Sequence, residues 1–336
     1  MDMQGLIQKF KINRQLTLEE CENQLKQKIR TGVEPYYFWS TIRCNSTFME
    51  ISDKFYTNKG FATLGALLCI PVNISFLVLM CWIFIGSIPF DTYDKRISLY
   101  IGPFAIPLVI CALALCLWGL RKESFSYTHY PIRFNRKTRM VHVFRQDGTV
   151  LTDRWENLFF TVCCSSVFMG IRNFDLRAHV LDGVIVRETF ALPRCFPDNA
   201  HTQQKALWEY IRRYMEDKDG VASTIARTPM YLPIATQRES WIFGLRRSLV
   251  DGAAGLFILR CVFFPMVLPT SFGRWFAMRT SRIPVWPKEI EDACQIEPND
   301  PFERDERSNP DNLWAVMKCM DWDGEERPAA SQKPNM

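Results

Sequence analysis

FATLGALLCIPVNISFLVLMCWIFIG (residues 61–86) and LYIGPFAIPLVICALALCLWGL (residues 99–120) decide how the rest of the chain is read. Neither contains an Asp, Glu, Lys, Arg or His. An uncharged run of about 20 residues matches the hydrocarbon thickness of a bilayer. A helix in a soluble core has no need to be apolar on every face over that length. Residues 61–120 therefore read as a transmembrane helical hairpin. The loop at 87–98 is charge-balanced, with Asp91, Asp94, Lys95 and Arg96. Lys54 and Lys59 precede the pair, and Arg121, Lys122, Arg133 and Arg136 follow it. By the positive-inside rule both flanks are cytoplasmic and the short loop is outside. Trp82, Tyr100 and Trp118 lie where an aromatic belt is expected. Pro71, Asn73, Pro103 and Pro107 interrupt the helical pattern. Asn73 reads first as an amide bonded to the neighbouring helix, with a pore-lining site as the sharper alternative.

The chain has 336 residues, room for the hairpin and about one or two soluble domains. Its formal net charge of +5 is modest. Beside a bilayer, positive charge is first a topology signal, so no nucleic-acid partner is implied. The 12 cysteines form no CxxC and no His-paired metal spacing, which suits a reducing compartment better than a disulfide framework. The first 30 residues are polar and charged, so no cleavable leader is expected and the first apolar segment directs insertion itself.

Upstream, residues 1–60 read as a cytoplasmic N-terminal helical region. Thr17-Leu-Glu-Glu20 is a capping box, and its helix is expected to run to about Arg30 with Cys21, Leu25 and Ile29 on one face. A docking helix is the functional reading; a short helix lying on the body of the protein is the plainer one. Tyr36, Tyr37, Phe38 and Trp39 form an aromatic cluster expected near the interface.

Downstream, residues 121–218 read as a β-rich domain with a closing helix. Strands are expected at 131–134, 140–145, 149–155, 159–168, 174–180 and 184–190, separated by turn signals. In 174–180 apolar Phe174, Leu176, Ala178 and Val180 alternate with Asp175, Arg177 and His179, the mark of a half-buried strand. Asp182-Gly183 supplies a tight turn. Pro197-Asp198-Asn199 opens a helix over about 200–218, with Leu207, Ile211 and Tyr214 inward and Glu209, Arg212, Arg213 and Glu216 outward. The fold class is thus an α+β membrane protein: a transmembrane hairpin plus a cytoplasmic antiparallel β-meander closed by a helix. By analogy this is a pleckstrin-homology-like split barrel. Residues 219–237 read as a loop or linker.

Residues 238–285 form a second membrane-related segment, apolar over 253–268 apart from Arg260 and ringed by arginines. A central Arg is costly in a true span. The segment is expected to lie in the inner interface or to enter it partway. A third span and packing under the soluble domain are the alternatives. Arg274, Arg279 and Arg282, interleaved with Trp275, suit lipid phosphate; pairing with Glu289, Glu291 and Asp292 is the competing reading. Residues 286–336 read as a polar tail, with short helices near 289–293 and 311–320 and disorder after 327.

No catalytic constellation stands out: there is no GxxxxGK, GxSxG or HExxH. His129, His142 and Cys163 make a weak metal or nucleophile set, with plain strand positions as the ordinary reading. Glu291, Asp292, Glu297 and Asp300 suit a solvated face as well as a carboxylate site. Lys137, Arg139 and Arg145 suit lipid headgroups, an acidic partner or a solvated hairpin. No cofactor or metal is implied.

The stretch from Tyr130 to Arg139, with Val141 to Arg145, Asp147-Gly148 and Trp155, resembles the start of an uncharacterised domain of bacterial membrane proteins encoded near type VI secretion clusters. GRWFAMRTSRIPVWP at 273–287, with Gln295 to Pro298, resembles a later part of it. Together the resemblance covers about residues 120–302. It implies a Gram-negative inner membrane and a neighbourhood of toxic effectors and their immunity proteins, and it transfers no catalytic residue. The expectation is a non-enzymatic inner-membrane binding protein, an immunity or accessory protein of a type VI effector. Its partners are then the lipid bilayer and an effector or secretion component. A membrane-bound enzyme acting on a lipid or lipid-linked substrate is the alternative.

Overall fold

The computed structural model describes residues 9–85, 93–168, 171–195, 200–251 and 257–313. The expected helix over 311–320, the disorder after 327 and the helix-opening Pro197-Asp198-Asn199 lie wholly or mostly outside these residues. The chain divides into two compact units. One comprises Met1–Thr57, Thr128–Arg238 and Ile283–Met336; the other comprises Asn58–Tyr127 and Glu239–Arg282.

In chain order the elements up to the hairpin are β1 (Arg14–Gln15), α1 (Leu18–Glu22), β2 (Gln24–Leu25), β3 (Thr41–Cys44), β4 (Phe48–Ile51), α2 (Lys54–Thr57), α3 (Phe61–Ile85) and α4 (Tyr93–Glu123). The strands that follow are β5 (Ile132–Asn135), β6 (Met140–Phe144), β7 (Val150–Arg154), β8 (Leu158–Phe168), β9 (Ile171–Asp182) and β10 (Ile185–Ala191). Helices complete the chain: α5 (Thr202–Glu216), α6 (Gly220–Ala226), α7 (Trp241–Asp251), α8 (Phe257–Thr280) and α9 (Lys288–Ala293).

The strands of the first unit form two five-stranded antiparallel sheets, in the orders β1-β10-β9-β8-β2 and β3-β4-β5-β6-β7. The six expected strands are present, but they are shared between two sheets. Residues expected to be helical supply the rest. The capping box at Thr17 forms as expected, with Glu20 N on Thr17 Oγ1 at 3.2 Å, yet the helix stops at Glu22. Gln24 and Leu25 leave it to pair with Thr161 and Phe160 of β8. Tertiary pairing overrides local helical preference here. The aromatic cluster is interior rather than interfacial: Tyr37, Phe38 and Trp39 are buried, and Tyr37 packs 6.4 Å from the ring of Tyr210.

Turn chemistry places the hairpins. Asn45 Oδ1 accepts from the amides of Thr47 and Phe48 between β3 and β4. Asn135 Oδ1 accepts from Thr138 N between β5 and β6, and Arg139 closes that turn at φ 61°. Gly183 turns β9 into β10 at φ 62°, a backbone state that glycine adopts freely.

The core of this unit is aromatic. Trp155 stacks on Trp208 of α5 at 5.5 Å, and Phe160 lies 4.6 Å from Trp208. Helix α5 differs from the expected amphipathic surface helix, because its polar face is buried too. Glu209, Arg212 and Arg213 are all buried. Glu209 takes Arg212 at 2.7 Å and Arg213 at 2.8 Å, and Arg212 also reaches Asp217. Buried charge is tolerated where it is paired and hydrogen-bonded. Burial pushes the Glu209 carboxyl up, but the two guanidiniums outweigh it and hold it below the usual range.

Residues 219–237 are not a linker. They hold α6 and a buried run of Met230, Tyr231, Leu232 and Ile234, with Leu232 N bonded to Thr41 O. The described part of the polar tail returns to the β3–β7 sheet. Arg304 and Cys44 exchange backbone hydrogen bonds, and Asp300 accepts from the amide and hydroxyl of Ser46.

Candidate functional site

The second unit carries the apolar surface. Helices α3 and α4 are long and apolar enough to cross a membrane, and almost nothing inside the protein covers them: 6 % and 0 % of their most apolar windows are buried. Exposed side chains point from all sides, among them Leu68, Val72, Trp82, Phe104, Leu108 and Leu115. A soluble core helix hides such residues; these present them to their surroundings. Asn73 donates to Cys69 O of its own helix at 2.8 Å. That bond returns a polar group to the backbone it sits on, which is how lone polar groups are satisfied in apolar surroundings.

The bases of the two helices are tied by buried polar groups that the sequence did not single out. Glu123, at the end of α4, sits at the start of α3. Its Oε1 accepts from Gly60 N at 2.9 Å, and its Oε2 accepts from Thr63 N at 2.6 Å and Thr63 Oγ1 at 2.7 Å. The free amides of a helix start carry partial positive charge, and a carboxylate satisfies both their hydrogen bonds and their field. Lys59 Nζ donates to the carbonyls of Glu123 and Tyr127.

Helix α8 joins this base. Thr280 and Ser281 hydroxyls donate to Ser124 O, and Arg282 N donates to Ser126 O. Gly60, at φ 96°, lies directly against α8: a Cβ there would come within 2.1 Å of Arg274 Cα. A Cβ on Gly273 would come within 2.5 Å of Gly60 O and 2.8 Å of Leu64 Cβ. Two glycines thus allow two backbones to approach to contact distance, the small-residue device of helix packing in lipid.

The seven basic and aromatic residues marked from the sequence divide between the two units: Arg274, Trp275, Arg279 and Arg282 belong to the second, and Lys137, Arg139 and Arg145 to the first. Arg274 is buried and forms a two-point pair with Glu239, Nε to Oε1 at 2.7 Å and Nη2 to Oε2 at 2.8 Å. It is therefore an interior ion pair rather than an exposed phosphate contact. The reason is the glycine contact, which draws this turn of α8 into the helix cluster. Trp275 is half-buried, 5.8 Å from both Trp241 and Phe272. Arg279 and Arg282 are exposed. In the first unit, Lys137 pairs with Glu297, Arg139 with Glu156 and Glu216, and Arg145 with Glu188.

The other sequence candidates also separate. Glu291 reaches Arg133 at 3.1 Å, and Asp300 holds Ser46, so these two acids tether the tail. His142 faces Arg133 across the β5–β6 ladder, while His129 packs on Tyr56. Cys163 belongs to the other sheet, beside Glu20 and His179. Helix α8 carries Pro265 and Pro269 within it and exposes Val262, Phe264, Met266, Leu268 and Phe272.

A family model, described as a family of unknown function, matches residues 108–298, more than half of the chain. No curated protein and no solved structure matches.

Proposed function

The chain belongs to the family of unknown function DUF6708 by that match, and we propose that it is a non-enzymatic, membrane-anchored binding protein. In this reading α3 and α4 cross the bilayer as a hairpin and the double-sheet unit is its cytoplasmic binding part. One observation carries the reading. Strand β4 precedes the hairpin, β5 follows it, and the two pair from Phe48–Asn135 to Ile51–Ile132. Both ends of the hairpin thus return to one sheet, which requires an even number of crossings. The basic flanks support the cytoplasm as the side of that sheet.

Helices α7 and α8 belong to the inner leaflet in this reading. Trp241, Phe272 and Trp275 sit at headgroup level, with Arg279 and Arg282 at the lipid phosphates. The finer fold assignment, a pleckstrin-homology-like barrel, has as its support α5 following β10 and packing on Trp155 and Phe160. The finer role, immunity to or handling of a type VI effector at a bacterial inner membrane, has as its support the resemblance at 130–155 and 273–298.

Two measurements test this. The full-length protein should stay in the membrane pellet through an alkaline carbonate wash. In intact cells an impermeant maleimide should label Thr92→Cys and not Thr149→Cys; labelling at position 149 overturns the topology. For the role, detergent-solubilised protein from its host should enrich a secreted, toxin-like protein, and co-expression should protect cells from it. Turnover of a lipid substrate by the purified protein would replace binding with catalysis.

A further inference from the structure

Glu20, Cys163 and His179 come from three separate elements, α1, β8 and β9, and all three are buried. Their ligand atoms lie within 4.8 Å of one another. Glu20 is the third residue of the capped helix. Its Oε2 accepts from Thr17 N at 2.9 Å and from Arg14 Nη1 at 2.7 Å, and its carbonyl accepts from Thr161 Oγ1 at 2.8 Å. That fixes the carboxylate with Oε1 turned towards the sheet. Oε1 also receives Arg14 Nη2 at 2.5 Å, and it lies 3.8 Å from Cys163 Sγ and 3.4 Å from His179 Nε2.

The imidazole is the informative group. It is fully buried, its Nδ1 meets Thr189 Oγ1 at 2.8 Å, and its Nε2, aimed at the carboxylate and the thiol, makes no hydrogen bond of good geometry. A ligating histidine characteristically uses one nitrogen for the metal and fixes the other with a second contact. An ordinary Arg14–Glu20 ion pair explains the carboxylate, but it leaves Nε2 with only a 3.4 Å approach to Oε1, beside a buried thiol.

We infer that Glu20, Cys163 and His179 form a binding site for a zinc-like divalent cation. Around tetrahedral zinc, with bonds of about 2.0–2.3 Å, ligand atoms stand roughly 3.3–3.7 Å apart. Two of the separations here, 3.4 and 3.8 Å, are already close to that. A nitrogen, oxygen and sulfur set favours a borderline metal over magnesium or calcium, which take oxygen alone. The thiol gives up its proton to solvent on binding, and the metal takes the resulting thiolate. Arg14 keeps its bond to Oε2, and its partly exposed side chain marks the way in from solvent. Burial pushes the free Cys163 thiol up to about 12, and Arg177, paired with Asp175, only partly opposes that while weakening the cation, so the metal itself must displace the proton. The metal would clip the N-terminal segment onto the β8–β9 pair. This inference is independent of the membrane-anchoring role and fails or stands separately from it.

The test uses full-length protein in detergent, stripped with a chelator and titrated with cobalt(II) chloride. One equivalent should produce a thiolate-to-cobalt charge-transfer band that zinc abolishes, and zinc should raise the melting temperature. Cys163→Ser should remove the band, and His179→Gln should weaken binding at least about tenfold. Cys164→Ser, the next residue along β8, and Cys21→Ser should leave it unchanged. No band on the wild-type protein overturns the inference whether or not the variants fold, as does a band that survives Cys163→Ser in folded protein.

Discussion

The Glu123 carboxylate closes the first turn of the helix that Thr63 helps to open, taking both the amide and the hydroxyl of that residue at 2.6 and 2.7 Å. One side chain thereby fixes the base of the helical pair, because the residue doing the capping ends α4 and the residue capped belongs to α3. Glu123→Ala leaves Gly60 N and Thr63 N without that acceptor in a buried setting. The expected cost is about 1–3 kcal/mol, read as a lower melting temperature in detergent. Glu289→Ala, an exposed change, should cost little; equal effects would remove the special role of Glu123.

Gly273→Leu tests the close approach of α8 to α3. The Cβ alone meets Gly60 O and Leu64 Cβ at distances real Cβ atoms do not adopt. The backbones must separate, at a cost of about 1–3 kcal/mol or more. Trp275 fluorescence should shift as its packing loosens. Gly65→Leu, where nothing lies within 4 Å, should be mild. A variant at 273 with unchanged melting and emission would count against the contact.

Arg133 is fully buried over Trp286 and Phe48, with Nε and Nη2 on Glu50 Oε2 at 2.9 and 2.7 Å. Burial pushes the Glu50 carboxyl up, and Arg133 and Arg43 more than reverse it. Removing one partner strands the other. Arg133→Met should cost about 3–5 kcal/mol, and adding Glu50→Gln should restore part of it. Additive losses in the double-mutant cycle would show that the pair is not coupled.

Burial and then Arg133 push His142 down to about 4 from its ordinary 6.5. The folded protein therefore holds a neutral imidazole where the unfolded chain takes a proton. The contribution to stability is complete above pH 6.5 and is lost as pH falls towards 4. The lowered carboxylates Glu20, Glu50 and Glu209 act in the same sense but lower, below their ordinary 4.5. Denaturant midpoints between pH 6.5 and 4.5 should thus fall in the wild type and flatten in His142→Gln. Parallel curves for the two proteins would refute the assignment.

Arg279 and Arg282 are exposed, and neither has an ion-pair partner among the described residues. In nanodiscs, anionic lipid should stabilise the wild type more than zwitterionic lipid, by roughly 1 kcal/mol per arginine, and salt should erase the difference. Replacing both with Gln should abolish that gain. A gain that persists in the double variant would move the lipid contact elsewhere.

Much of the architecture was legible. The apolar runs, the turn at Gly183, the capping box at Thr17 and the strands between 131 and 190 all follow from local pattern. The N-terminal strands were hidden because β1 and β2 are two residues long and β3 and β4 four, too short to show an alternation. β1 and β2 take their identity from partners more than a hundred residues away, as Leu25 finds Phe160, and β4 from β5 across the hairpin. Charged positions misled for a related reason. Arg274 and Arg213 look like surface residues until Glu239 and Glu209 are placed beside them, and those pairings are set by packing. Glu123 was legible in principle: a lone acid between Lys122 and Ser124 at the very end of an apolar run has no topological purpose.

Strand β4 leaves the ribosome about 80 residues ahead of β5, its ladder partner across the hairpin. At roughly 5–20 residues per second that is a wait of several seconds. Throughout it, the amides and carbonyls on one edge of Phe48–Ile51 are unanswered, and the buried faces of Phe48 and Met49 have nothing to cover them. On the proposed topology, insertion of the intervening helices runs on that same clock, since both are synthesised before β5. The order of synthesis then couples the β3–β7 sheet to the hairpin: a chain stalled between them keeps a sticky open edge, the kind of lesion that quality-control proteases degrade.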